Sequence, residues 1–309
     1  MRVPLLLALS LAATPLAAQP APERPDTALE LKLRSLAAGF DGDVGIYVRH
    51  LRTGQAVAIR ADETFPTASM IKVPILVALH DAVARGALDL TAKVALPDTA
   101  IYPYPDDVGE IGSLRPGTPV SLSMLAHMMI STSDNTAALW LQAIVGGGTA
   151  VNAWLAANGF DSLRVNSRTP GREQDRARFG WGQTTPRELA ELLVRIREGR
   201  VVSPAASEEM YRTLTRSYWT GEALSALPPW VQAASKQGAV DRSRSEVVLV
   251  NAPGGDYVFC VITKNQRDER YEPDNAGYVL LRRVSAALWR HFEPDHPWTP
   301  AAGAEKLKP

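Results

Sequence analysis

Between Asp43 and Arg49 polar and apolar positions alternate, with Val44, Ile46 and Val48 on one side. That is the period of a strand with one face on a core. Arg52-Thr53-Gly54-Gln55 reads as a turn and Ala56 to Ala61 as a second short strand. The period then changes. Leu189, Leu192, Leu193 and Ile196 recur at helical spacing behind Thr185-Pro186-Arg187-Glu188. Thr185 is placed as N-cap, Pro186 in the first position and Glu188 to close a capping box, with Gly199 as the stop. Leu122, Leu125 and Met129 mark a helix, and Ala137 to Val145 a second, closed by Gly146-Gly147-Gly148. Thr149 to Asn158 is a further short one. Strands return at Glu246 to Val250 and Tyr257 to Thr263, flanking Pro253-Gly254-Gly255 as a hairpin. A last helix runs from Asn275 to Phe292. Strands at both ends with helices between predict an α/β domain: one sheet assembled from the two termini and covered by helices.

The start of the chain has another character. Met1 and Arg2 precede an apolar stretch from Val3 to Ala13, followed by small residues up to Gln19. This pattern predicts a secretory signal over 1–18, too short to span a bilayer. Residues 19–27, with Pro20, Pro22 and Pro25, are expected to be a flexible leader. The domain is expected over 28–293 and a Pro-rich tail over 294–309. The location implied is periplasmic or secreted, with no stable membrane span once the signal is removed.

With 33 basic and 33 acidic residues in 309 the net charge is zero, which argues against general nucleic-acid binding. One cysteine, Cys260, allows no internal disulfide. It lies in an apolar strand pattern and is expected to be buried. The five histidines form no metal-binding spacing, so neither metal nor other cofactor is expected. A monomer acting on a small molecule fits this composition.

Candidate chemistry starts at Thr67-Ala68-Ser69-Met70-Ile71-Lys72. Counting back along the stripe Ile75, Leu76, Leu79 and Val83 puts Ser69 and Lys72 one turn apart on the buried face of a helix N-terminus. Desolvation lowers a lysine pKa and frees an amine to act as base, and a serine hydroxyl one turn away is its natural target. Ser131-Thr132-Ser133-Asp134-Asn135 sits between two apolar helices, and Lys236-Gln237-Gly238 precedes the C-terminal hairpin. Taken singly, these two are equally a capped helix turn and a charged strand end. The segment from Arg164 to Gly182, arginine-rich and without period, is a long loop of the kind that is often functional.

The order S-x-x-K, then S-D-N, then K-x-G resembles the penicillin-recognising serine enzymes, most closely class A β-lactamases, over about residues 28–293. Ser133-Asp134-Asn135-Thr136-Ala137-Ala138 followed by Gly146-Gly147, and the Thr184-Thr185-Pro186 helix start, match that class in spacing. The resemblance implies a five-stranded antiparallel sheet flanked by helices, plus an all-helical lobe. It implies Ser69 as acylated nucleophile, Lys72 as base or proton relay, and Ser133 as donor to the leaving nitrogen. Asn135 would bind the substrate's side-chain amide and Lys236 its carboxylate. Gln237 and Gly238 complete that motif, and the N–H groups of Ser69 and Ala239 would form the oxyanion hole. Tyr102 or Tyr104 would line the cleft mouth. The substrate implied is a β-lactam or a D-Ala-D-Ala-like compound. A D,D-carboxypeptidase or esterase, or a penicillin-binding protein without turnover, fits the same scaffold.

Two positions depart from the family. Counted without gaps, the omega-loop glutamate that activates the deacylating water is replaced by Thr169. Glu173 stands where the family has a water-binding asparagine, and is expected to take over that role. Between Lys236 and Gly238 the family carries Ser or Thr, and here stands Gln237; Arg242 or Arg244 is the candidate to compensate.

Overall fold

The computed structural model describes residues 21–97 and 109–304. The 1–18 segment, Tyr102 and Tyr104 lie outside them. The main sheet combines β1 (Arg24–Pro25), β2 (Asp43–His50) and β3 (Gln55–Ile59) with β9 (Ala233–Val240), β10 (Ser243–Val250) and β11 (Tyr257–Lys264). Their order is β1-β3-β2-β11-β10-β9, antiparallel except for the β1–β3 pair. The two chain ends meet at β2–β11, where His50 faces Tyr257 and Asp43 faces Lys264.

Successive side chains of a strand point to opposite faces, and here both faces are covered. Val258, Cys260 and Ile262 of β11, with Val247 and Leu249 of β10, enter one core. Tyr257, Phe259, Val261, Val248 and Val250 enter the other. The second core is closed by α1 (Thr27–Ala37) and α10 (Ala276–Phe292). The first is closed by α8 (Pro186–Arg197) and α9 (Pro204–Leu214) and continues into the helical lobe.

That lobe is built around α2 (Lys72–Ala84), with α3 (Gly109–Gly112), α4 (Leu122–Ser131), α5 (Asn135–Ile144) and α6 (Gly147–Ala157). Every residue of α2 from Lys72 to Leu79 is buried. The stripe expected from the sequence is therefore too narrow a description: a helix apolar nearly all round is a core helix. Two small sheets stitch the loops: β4 (Phe65–Pro66) with β8 (Gly182–Thr184) and β7 (Arg164–Val165), and β5 (Lys93–Ala95) with β6 (Pro119–Ser121).

Three local expectations are corrected. The 19–27 leader is not free where it is described: Arg24 and Pro25 pair with Gln55 and Ala56. Asp26 N-caps α1 by accepting from Leu29 N at 2.9 Å, and its other oxygen contacts His291 Nε2 at 2.8 Å. The tail beyond residue 293 is anchored at its start, where Trp289 Nε1 donates to His296 O at 2.8 Å and Trp298 packs on the second core. Thr185 does cap α8, accepting from Glu188 N at 3.1 Å. Glu188, however, does not close the box. Its carboxylate accepts from the N–H groups of Asp161, Ser162 and Leu163 at 2.6–3.0 Å, pinning the entry to the long loop.

Candidate active site

Ser69 lies in a 3-10 turn, Ala68–Ile71, that leads directly into α2. Ala68, just before it, is held at φ 45°, a left-handed conformation rare for a residue with a side chain. Lys72, the first residue of α2, is fully buried. Its Nζ reaches Ser69 Oγ at 2.9 Å, Ser133 Oγ at 2.9 Å, Ser133 O at 2.6 Å and Asn135 Oδ1 at 2.7 Å. Burying an ammonium is costly unless it is surrounded by acceptors, and this shell supplies them. The shell draws on residues more than sixty positions away, so it is set by the fold and not by the helix.

The Ser133 end is shaped as closely. Asp134 N-caps α5, accepting from Ala137 N at 2.7 Å, and also takes Ile111 N at 2.9 Å. Burial raises its carboxyl above the ordinary range, against the pull of these N–H groups and of Lys72. Ser133 itself has φ 63°. A second segment holds this loop from outside: Tyr218 N donates to Ser131 O at 3.1 Å and Trp219 Nε1 to Thr132 O at 2.8 Å. Nothing in the spacing of the motifs announced Trp219.

Strand β9 brings the third motif. Lys236 Nζ contacts Ser133 Oγ at 3.1 Å, Gln237 O at 2.9 Å and Gln237 Oε1. Complete burial, with Lys72 close by, holds this lysine well below its ordinary range. Gly238 is required by proximity: a Cβ there would lie 2.7 Å from Thr67 O and 3.0 Å from Ala68 Cβ. This close approach sets Gly238 and Ala239 alongside the turn that carries Ser69. Ser69, Lys72, Ser133, Asn135, Lys236 and Gln237 thus form one hydrogen-bonded cluster.

A buried acid, Glu246, and a half-buried one, Glu222, lie behind β9. Glu246 accepts from Ser235 Oγ at 2.6 Å and from Ala223 N at 2.7 Å. Burial and the neighbouring Glu222 push its carboxyl far above the carboxylate range, and burial raises Glu222 as well. The sequence reading had no signal for this pair.

The long loop does not deliver its expected carboxylate. Thr169 is buried, with Oγ1 donating to Ser167 O at 2.9 Å and packed against Gly148, where a Cβ would come within 1.8 Å. Glu173 is exposed at the start of α7 (Glu173–Phe179), its carboxylate accepting from Gly171 N at 3.1 Å. It shares no hydrogen bond with Ser69, Lys72 or Ser133. It turns back onto the loop that precedes α7. The group this loop sets near Lys72 is aromatic: Nζ lies 5.9 Å from the Trp181 ring centre.

The two arginines proposed to compensate for Gln237 also face elsewhere. Arg242 donates to Gln266 O and Asn265 O. Arg244 is fully buried, bonded to the carbonyls of Val240, Ser243 and Arg270, and its guanidinium lies 4.3 Å from the Tyr271 ring. Cys260 is buried in the first core, which pushes its thiol up. No cluster of three or more possible metal ligands occurs among the described residues.

The chain is similar to known proteins over most of its length. A model of the Beta-lactamase enzyme family matches residues 28–292. A β-lactamase of Rhodobacter capsulatus is 26% identical over 93% of this chain and 95% of its own. One of Streptomyces fradiae is 28% identical over 90% and 92%. The solved structure of PBP-A superposes with a TM-score of 0.78 at 27% identity, covering 89% of this chain and all of that one. A mutant of PBP-A, solved as its acyl-enzyme complex with penicillin G, gives the same TM-score.

Proposed function

The chain belongs to the β-lactamase enzyme family as a class A-like serine hydrolase, and on that premise we propose that it opens β-lactam amides through an acyl-enzyme at Ser69. The observation that carries this reading is the single nitrogen of Lys72 lying 2.9 Å from both Ser69 Oγ and Ser133 Oγ. One amine in contact with nucleophile and donor can take a proton from the first and return it to the second. Ser69 Oγ forms a bond to the acyl carbon while its proton passes to Lys72 Nζ. As the acyl C–N bond breaks, Ser133 Oγ gives its proton to the leaving nitrogen and is reprotonated from Lys72. The N–H groups of Ser69 and Ala239 take the developing oxyanion, and Asn135 binds the acyl side chain. Addition of water to the ester carbon then releases the acid.

A second reading keeps the scaffold and changes the bond: a D,D-carboxypeptidase or esterase. It is favoured by one observation, that Thr169 and Glu173 stand apart from the Ser69 cluster while Trp181 lies beside Lys72. Export to the periplasm or beyond is supported by the signal pattern over 1–18, and no helix among the described residues is long and apolar enough to cross a membrane.

Intact-mass analysis over time after mixing with a penicillin tests the reading. A transient adduct that maps to Ser69 and is lost in Ser69→Ala is expected, with steady turnover of a chromogenic cephalosporin. Turnover of a simple ester or a D-Ala-D-Ala peptide without cephalosporin hydrolysis would select the second reading. A permanent adduct would mean a penicillin-binding protein without turnover.

A further inference from the structure

Lys236 is the residue that the family resemblance assigns to a substrate carboxylate, yet its surroundings leave a carboxylate no place. A charged amine has three hydrogens to donate, and Lys236 Nζ already has three acceptors within the chain, Ser133 Oγ, Gln237 O and Gln237 Oε1. The residue is fully buried, so an incoming anion would have to displace the Gln237 carboxamide to touch it.

Burial and the nearby Lys72 also work against a positive charge on Lys236, while Glu222 and Glu246 behind β9 act the other way. Glu246 is fixed there by Ser235, the residue next to Lys236. The hairpin's own arginines give no help, since Arg242 is bonded to the carbonyls of Asn265 and Gln266, and Arg244 to those of Ser243 and Arg270. The other end of the Gln237 side chain, Nε2, has no hydrogen-bond partner among the described residues. It is a neutral donor, suited to a carbonyl, ester or ring oxygen.

We propose that Gln237 occupies the carboxylate position on Lys236, so that the site selects acyl donors without a negative charge on the leaving-group side. The natural substrate class is then an uncharged ester or amide, and a β-lactam with a free ring carboxylate is accepted only when Gln237 is pushed aside. The proposal rests on Ser69 being the acylated residue.

The test compares benzylpenicillin with its methyl ester, following the rate of Ser69 adduct formation by intact mass. In the unaltered protein the methyl ester is expected to acylate at least as fast as the free acid. Gln237→Thr supplies a hydroxyl and uncovers Lys236, and is expected to shift the acid-to-ester rate ratio about tenfold or more toward the acid, the scale of one hydrogen bond to a charged group. An unaltered protein that prefers the acid by tenfold or more overturns the proposal while leaving acylation at Ser69 intact. So does a ratio that Gln237→Thr and Gln237→Ser both leave unmoved. No adduct with either compound overturns the proposal together with the acyl-enzyme reading. The comparison on the unaltered protein decides the matter even if neither variant folds.

Discussion

Replacing Lys72 by arginine separates proton transfer from charge. In the structure one nitrogen sits among four acceptors at 2.6–2.9 Å, two of them the hydroxyls of Ser69 and Ser133. A guanidinium keeps the positive charge but does not release a proton in a protein, and its planar fork cannot set one nitrogen at that centre. If Lys72 relays the proton, Lys72→Arg forfeits a general acid–base contribution of about 10²–10⁴ in rate, or roughly 3–5 kcal/mol of barrier. The larger head in a fully buried position also costs about 1–3 kcal/mol of stability. The comparison is therefore made well below the variant's own melting temperature, checked by circular dichroism. The assay is single-turnover formation of the Ser69 adduct, followed by quenched intact mass. Acylation by Lys72→Arg within tenfold of the parent would refute the relay and reduce Lys72 to a source of charge.

Other expectations concern groups outside that relay. Glu173→Gln should leave both formation and decay of the adduct within about twofold, the scale of a surface change; an adduct that accumulates at unchanged formation rate would show instead that Glu173 activates water. His80 is held at about 4 by burial, against an ordinary 6.5. The unfolded chain therefore binds a proton that the folded one refuses, and stability falls as pH drops from 6.5 towards 4, by about 3 kcal/mol in all. Denaturant midpoints of His80→Leu should lack that dependence. Glu246 has the opposite sign: its raised carboxyl favours the fold at low pH, and that contribution is lost as pH rises above the ordinary carboxylate range. Glu246→Gln should flatten the stability profile between about pH 4.5 and 8 in the same measurement, and an unchanged slope would mean that Glu246 is ionised throughout.

The parts of the fold legible in the sequence are those where local pattern and tertiary role coincide. Val44, Ile46 and Val48 alternate because β2 is a strand, and Thr185 and Pro186 begin α8 because they suit a helix start. Strand β9 was legible only as a strand end at Lys236-Gln237-Gly238. Ala-Ala-Ser-Lys-Gln-Gly-Ala has little intrinsic strand preference, and it is extended because β10 pairs along its whole length. Helix α1 was missed, as was α7 within the arginine-rich loop. In the site, the motif order located Ser69, Lys72, Ser133, Asn135 and Lys236, since their spacing is a property of the chain. Where Glu173, Arg244 and the Gln237 carboxamide face is a property of packing. So is the role of Glu188, whose sequence context suits a capping box but whose carboxylate goes to Asp161, Ser162 and Leu163.

The join between β2 and β11 also has a meaning in time. About 200 residues separate the two strands that pair at the centre of the sheet. At roughly 5–20 residues per second, a ribosome needs roughly 10–40 s to deliver the second strand after the first. For most of that interval Lys236 has not yet been made, and of its two partner strands β2 has only β3. The nascent chain can form neither the closed sheet nor the lysine cluster until nearly all of it exists. Such late closure leaves the central pairing of the sheet open for most of synthesis and completes it only when β11 arrives.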